Sequence, residues 1–431
     1  MNPQVSERPR NAWLPAAPFV LSVVAGCGML FITHNWKHYA PPGYGGFEPG
    51  ETQRGAIEIR QRGRTDMDFH TPGYPYLVAL VYLLLPRVPV SMLAVQIACL
   101  PLVVWSVGRI SRDFAGPSLE PWGRWAACLY YPLAYYAVTF NSIFVTFLFV
   151  NLCLVFLAPL LRGPRSFWRS ALVGLGLGVV VCFRPNFAVL GIAFALAIWK
   201  ETRNLWEAVI RALPIAAVSA GMLVAINAAN PPPPGQFLRG SQGVNRQMLE
   251  GTYQYADQWW DWEWFEDSTS PGSKKFYDHL RRIEQETGST IIGENEKTFV
   301  TSPAAQAALR RDALKRMTDY PWNTVKKLLI STVRTWIFVP THLSSMPVKI
   351  AITVEEFFVL ALALYGLWLL WIGGGPWELA LGVLVAITMW SWILDVEPRY
   401  SLPGRGVELA LMVVALETIW RRLRNPGEKA S

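Results

Sequence analysis

Long apolar runs recur from one end of this chain to the other, and they limit its fold more than any other feature. They cover roughly residues 14–33, 88–108, 124–140, 141–161, 169–184, 186–199, 207–228, 350–372, 377–394 and 404–420. A helix of about 20 apolar residues spans a bilayer. Lipid offers no hydrogen bonds, so each run must satisfy its own backbone, as a helix does. Composition agrees: 52% of residues are hydrophobic and 16% charged, against about 25% charged in a soluble domain. The chain reads as an all-α polytopic membrane protein. Leu14 to Ile32 has no small-residue cleavage site followed by a soluble domain, so it reads as a retained first crossing.

Positive charge orients the bundle, because Lys and Arg collect on the cytoplasmic side of membrane helices. The net charge is +8. Its groups are Arg8 and Arg10; Arg109, Arg112 and Arg124; Arg162, Arg165 and Arg169; Lys200, Arg203 and Arg211; and Arg421, Arg422 and Arg424. With the N-terminus inside and about ten crossings, every group falls inside. Two apolar stretches stay out of that count. Thr71 to Leu85 is short for a crossing and reads as re-entrant or oblique on the outer side. Trp322 to Pro340 carries Lys326, Lys327 and Arg334 among apolar residues, the pattern of an interfacial amphipathic helix. Two further true crossings would also keep the C-terminus inside. The expected bundle therefore has about 10–12 transmembrane helices, with outer-side juxtamembrane helices and a long outer loop. Residues 1–228 form an N-terminal transmembrane module with the first outer loop (34–71), residues 229–349 an outer loop, and residues 350–431 a C-terminal transmembrane module.

Several function classes drop out. Nucleic-acid binding needs a basic face on a soluble module, and none is present, so no nucleic-acid partner is expected. The five cysteines all lie inside apolar runs, where they read as small buried hydrophobes rather than a disulfide framework or metal site. No phosphate-binding glycine loop, zincin motif or serine elbow occurs. Gly174, Gly176 and Gly178 fall in an apolar run, where close helix packing explains them.

The polar corners on the outer side remain. Glu48 and Glu51 lie in the first outer loop, and Glu51 opens an expected helix, Thr52 to Gln61, whose dipole favours an anion. Either acid is a candidate general base, or a solvated loop acid or helix cap. Arg184 and Arg399 fall outside, against the cytoplasmic bias of arginine. They hold a phosphate through charge-assisted forks, or snorkel to lipid headgroups. His70 and Tyr74 flank the start of the short helix, as site residues or as interfacial side chains. Trp259 and Trp260 belong to an aromatic-acidic stretch that reads as a carbohydrate or lipid platform, or as interfacial anchoring.

The order of these pieces resembles the GT-C superfamily of integral membrane glycosyltransferases, in the branch of protein O-mannosyltransferases and the lipid A aminoarabinose transferase (glycosyltransferase family 39-like). The resemblance rests on Glu48-Pro49-Gly50-Glu51 with Gly63 near the helix end, and on His70-Thr71-Pro72-Gly73-Tyr74-Pro75. It continues through the glycine-rich run ending in Arg184-Pro185 and the stretch Asn227 to Asn245. Asp319-Tyr320-Pro321 before a basic amphipathic helix and Glu397-Pro398-Arg399-Tyr400 to Pro403 complete it. Two positions depart from the family pattern. The first acid of the paired motif falls on Gly50, and a second outer acid is replaced by Asn141-Ser142. A metal bridged by two acids is therefore in doubt, and Asp66 or Asp68 is an alternative acid.

The resemblance implies a GT-C-like bundle in a bacterial inner (plasma) membrane, with its active site on the periplasmic or extracytoplasmic side. It implies a polyprenyl-phosphate-linked sugar as donor, a lipid, glycan or protein as acceptor, and inversion at the anomeric carbon. Glu51, or Glu48, would be catalytic. Arg399, Tyr400 and Arg184 would bind the donor phosphate. His70, Tyr74, Arg54, Trp259 and Trp260 would contact acceptor or substrate. No cofactor is certain; a divalent cation is admitted, and the metal is unknown. A lipid or glycan transporter or flippase is the rival class, but would show paired halves or broken helices at mid-membrane. An outer-leaflet glycan ligase with a diphosphate donor is chemically close.

Overall fold

The computed structural model describes residues 16–38, 47–65, 71–232, 243–256, 271–291, 302–337, 346–394 and 398–424. Every regular element among them is helical. The first elements are α1 (Ala17–Ile32), α2 (Asn35–His38), α3 (Phe47–Arg62), α4 (Gly73–Leu84), α5 (Pro89–Ala115), α6 (Glu120–Leu129) and α7 (Tyr131–Ala137). Next come α8 (Ile143–Arg162), α9 (Phe167–Phe183), α10 (Val189–Thr202), α11 (Leu205–Ala229), α12 (Gly243–Gly251), α13 (Pro271–Thr287) and α14 (Pro303–Asp319). The chain continues through α15 (Pro321–Arg334), α16 (Met346–Ile372), α17 (Trp377–Ile393) and α18 (Arg405–Arg424).

Four stretches are each long and apolar enough to cross a membrane: Pro89–Ala115, Ile143–Arg162, Leu205–Ala229 and Ile350–Ile372. Other segments are shorter or broken. α6 and α7 form one path interrupted at Tyr130, because Pro132 lacks an N–H and its ring clashes with the carbonyl four residues back. Charged pairs gather at one end of the bundle. There Arg112 and Arg124 reach Glu120, Arg165 and Arg211 reach Glu207, and Lys200 reaches Glu378. The turns at 139–142, 184–185, 230 and 398–404, with Leu394 at the end of α17, form the opposite, polar end. α1, α5, the α6–α7 path, α8, α9, α10, α11, α16, α17 and α18 run between the two.

α4 does not cross. Its start packs on the C-terminal end of α9, where Thr71 Oγ1 donates to the Phe183 carbonyl at 2.7 Å. A Cβ on Gly73 would overlap the Cys182 carbonyl, so glycine is required for that approach. Its other end leads directly into α5. Both ends therefore lie at the polar end. The glycines of α9 pack on both sides: a Cβ on Gly174 would meet the Ile215 backbone of α11, and one on Gly176 would meet Cys153 of α8. Small residues allow such close backbone contact between apolar helices.

α15 carries its two faces in a telling sense. Trp322, Val325, Leu329 and Val333 are exposed, whereas Lys326, Lys327, Ser331 and Arg334 are buried. The apolar face is turned outward and the basic face inward, as suits a helix resting against lipid with its charges directed into the protein. Beyond the membrane body, α12, α13 and α14 enclose a small core of Leu249, Tyr253, Phe276, Leu280, Ile283 and Leu309.

Candidate active site at the polar end

The acids come first. Helix α3 starts at Phe47 rather than at Thr52. Pro49 sits in its first turn, where a missing N–H costs nothing because those donors have no intrahelical partner. Glu48 thereby occupies the first turn and Glu51 the second, so the helix-terminus argument for Glu51 passes to Glu48. Glu51 is buried and takes an ion pair from the exposed Arg54 at 3.3 Å. The side chain of Glu48 lies outside the described residues.

α3 packs along α4, and α4 is fastened by a polar clasp. Tyr74 donates to Gln96 Oε1 at 3.0 Å, and Gln96 Nε2 donates to the Ala137 and Thr139 carbonyls, each at 3.0 Å. Tyr74 also packs against Phe140 and Phe183. Its hydroxyl and ring thus hold α4 in the core. Asn230 closes the other side: its Oδ1 accepts from the Thr65 N–H at 2.9 Å, and its Nδ2 donates to Tyr76 Oη at 2.9 Å.

Arg184 stands beside the α4 start, at the end of α9. Pro185 follows it, so α9 stops there and the backbone turns extended at φ −148°. Arg184 Nε donates to Ser142 Oγ at 3.2 Å. Its guanidinium carbon lies 5.2 Å from the Tyr400 ring centroid. Three turns far apart in the chain therefore meet around one guanidinium. Of the Asn141-Ser142 pair, it is Ser142 that binds this arginine. Arg399 opens the 3-10 turn Pro398–Gly404, but its side chain lies outside the described residues, as do His70, Trp259 and Trp260 entirely.

The inward face of α15 borders the same corner. Lys327 Nζ donates to the Leu394 carbonyl at 2.5 Å, and Trp336 Nε1 donates to Thr388 Oγ1 at 2.8 Å. Beneath the corner lies a buried ionic cluster. Arg405, 1% exposed, pairs with Glu356 of α16 at 2.8 Å and with Glu408 at 2.5 Å. It also donates to Ser401 Oγ at 3.2 Å and to the Trp336 carbonyl at 2.7 Å, and Tyr130 Oη donates to Glu356 at 2.8 Å. The cluster binds α15, α16, α18 and the 3-10 turn into one unit that fixes where Tyr400 stands. Sequence reading missed it, although Glu356 and Glu408 stand inside apolar runs, where an ionisable residue is a functional flag. Among the described residues no three His, Cys, Asp or Glu side chains converge as a metal site requires.

No protein-family model matches the chain, and no curated protein matches it. A solved structure does: the oligosaccharyltransferase of Archaeoglobus fulgidus in its apo form, with TM-score 0.51 and 14% identity over 97% of this chain. The match covers 53% of that structure, so the chain spans about half its length. At that identity the likeness concerns the fold: a GT-C-like helical membrane bundle, the class that the ordered corners lead one to expect.

Proposed function

We propose that this chain is a membrane glycosyltransferase that moves a sugar from a polyprenyl-phosphate donor to an acceptor, with its site on the extracytoplasmic face. The carrying observation is the Arg184 guanidinium, set between Ser142 and Tyr400 where three turns meet. A polyprenyl tail stays in lipid, so its phosphate must be met where helices end at the membrane surface. In this reading an acceptor oxygen attacks the anomeric carbon as the bond to the phosphate oxygen breaks. The configuration inverts, and lipid phosphate leaves with the bonding electrons. Arg184, with Arg399, stabilises the charge growing on that phosphate. The acceptor proton passes to Glu51, or to Glu48. The inward basic face of α15 lies beside the same corner, where Lys327 donates to the Leu394 carbonyl.

The test is donor turnover by purified protein. Arg184→Ala should slow release of polyprenyl phosphate by about tenfold or more, the worth of a charge-assisted contact. Arg184→Lys should recover part of it, because an ammonium lacks the planar fork. Unchanged turnover in the alanine variant would refute the assignment.

A further inference from the structure

A second cavity lies away from the Arg184 corner, among α12, α13, α14 and the start of α15. Its volume is about 670 Å³, within the range of small-molecule sites. Four cations line it: Lys275 and Arg282 of α13, and Lys315 and Arg316 of α14. Arg316 is held for binding. Its Nε donates to Thr252 Oγ1 at 3.0 Å, and its guanidinium carbon stands 3.6 Å from the Tyr253 centroid and 5.3 Å from that of Tyr320. Among the described residues, its Nη groups make no hydrogen bond.

Tyr253 is itself braced. Its hydroxyl meets His279 Nδ1 at 2.7 Å, and His279 Nε2 meets Asp312 Oδ2 at 2.8 Å. Of the lining carboxylates, Asp312 is also taken by Arg311 at 2.8 Å and Asp278 by Arg281 at 3.4 Å. Both of those arginines lie off the lining. Arg282 is itself shared with Asp312 at 3.8 Å and with Glu286 at 3.7 Å, so the four lining cations exceed the three lining carboxylates, Asp278, Asp312 and Asp319, by one.

We infer that this cavity binds an anionic saccharide, a sugar bearing a phosphate or a carboxylate. The guanidinium fork suits either anion. A bare phosphate would fill only a small part of the space. The Tyr320 ring offers an apolar face to a sugar ring, while Asn323 and Asp319 offer partners to hydroxyls. This inference is independent of the transfer reading, because its test measures binding and no turnover.

The full chain, purified in zwitterionic detergent, is titrated with glucose 6-phosphate, glucuronic acid, glucose and inorganic phosphate by calorimetry. Both charged sugars should bind, more weakly as salt is added, and glucose should not. Arg316→Gln should weaken binding by about tenfold or more. Arg310→Gln, an exposed position of the same helix off the cavity lining, should leave it within about twofold. Circular dichroism of each variant confirms that the helices persist. The inference is overturned if no charged sugar binds, if inorganic phosphate binds as tightly as the sugar phosphate, or if the two variants weaken binding equally. It is likewise overturned if only nanodiscs containing phosphatidylglycerol occupy the cavity.

Discussion

Arg405 carries the largest share of buried charge at the polar end, with one guanidinium facing two carboxylates. Removing it strands both acids. Arg405→Met should therefore cost about 3–5 kcal/mol, read as loss of the monodisperse detergent peak or a large fall in Tm. Glu408→Gln removes the surplus negative charge and should be mild by the same measurement. At the proposed base, Glu51→Gln keeps the shape and removes the proton acceptor, so transfer should fall by about a hundredfold or more while donor affinity survives. If Glu48→Gln is the inactive variant instead, the base is one helical turn earlier. That Arg184 and Tyr400 stand in polar turns was legible, because each lies beside an apolar run, and the structure brings the two together; the roles of these residues and of Glu51 stay proposals. Arg405 was not legible, because its meaning depends on Glu356, a partner on another helix that no local pattern names.

α15 shows what periodicity conveys and what it omits. The spacing of Lys326, Lys327 and Arg334 among apolar residues revealed two faces, but not which one meets the protein. That depends on whether the surroundings are lipid or water, and here the apolar face is the exposed one. Leu329→Asp should accordingly be damaging, although the residue is on the surface: it places a charge against lipid, and should lower extraction yield and thermal stability in a bilayer mimetic. Helices α13 and α14 respond to acid instead. Burial, with Arg282 and Arg316 nearby, lowers the His279 pKa despite Asp312. Asp312 is lowered as well: burial works against it, but the hydrogen bonds from Arg311 and His279 prevail. In both cases the unfolded chain binds more protons than the folded one. Stability conferred by His279 is thus present above its ordinary pKa and lost as pH falls below about 6.5, with Asp312 adding to the loss at lower pH. Hydrogen exchange in α13 and α14 should quicken on acidification through that window, and His279→Gln should remove the first part of the effect.

Across the whole molecule, the apolar runs fall on helical segments among the described residues, but only four of these are long and apolar enough to cross by themselves; the others were legible by apolarity rather than by length. The clasps that join distant turns, Asn230 to Thr65 and Gln96 to the 137–139 turn, were not legible: single polar residues carry no period. Orientation is the remaining global proposal. A cysteine at Gln285, exposed on α13, should react with a membrane-impermeant maleimide on intact cells, while the native cysteines, all in apolar helices, stay silent. Reaction only after permeabilisation would reverse the bundle.

The Arg405 cluster also bears on how the chain is made. α16 leaves the ribosome before α18, and it brings Glu356 into the membrane with no guanidinium yet beside it. An acid there without its guanidinium is expensive even with the Tyr130 hydroxyl donating to it, so α16 must wait near water or the translocon until α18 arrives. Nascent chains halted after residue 394 should for that reason be recognised as unfinished and degraded, even though most of the bundle has been synthesised.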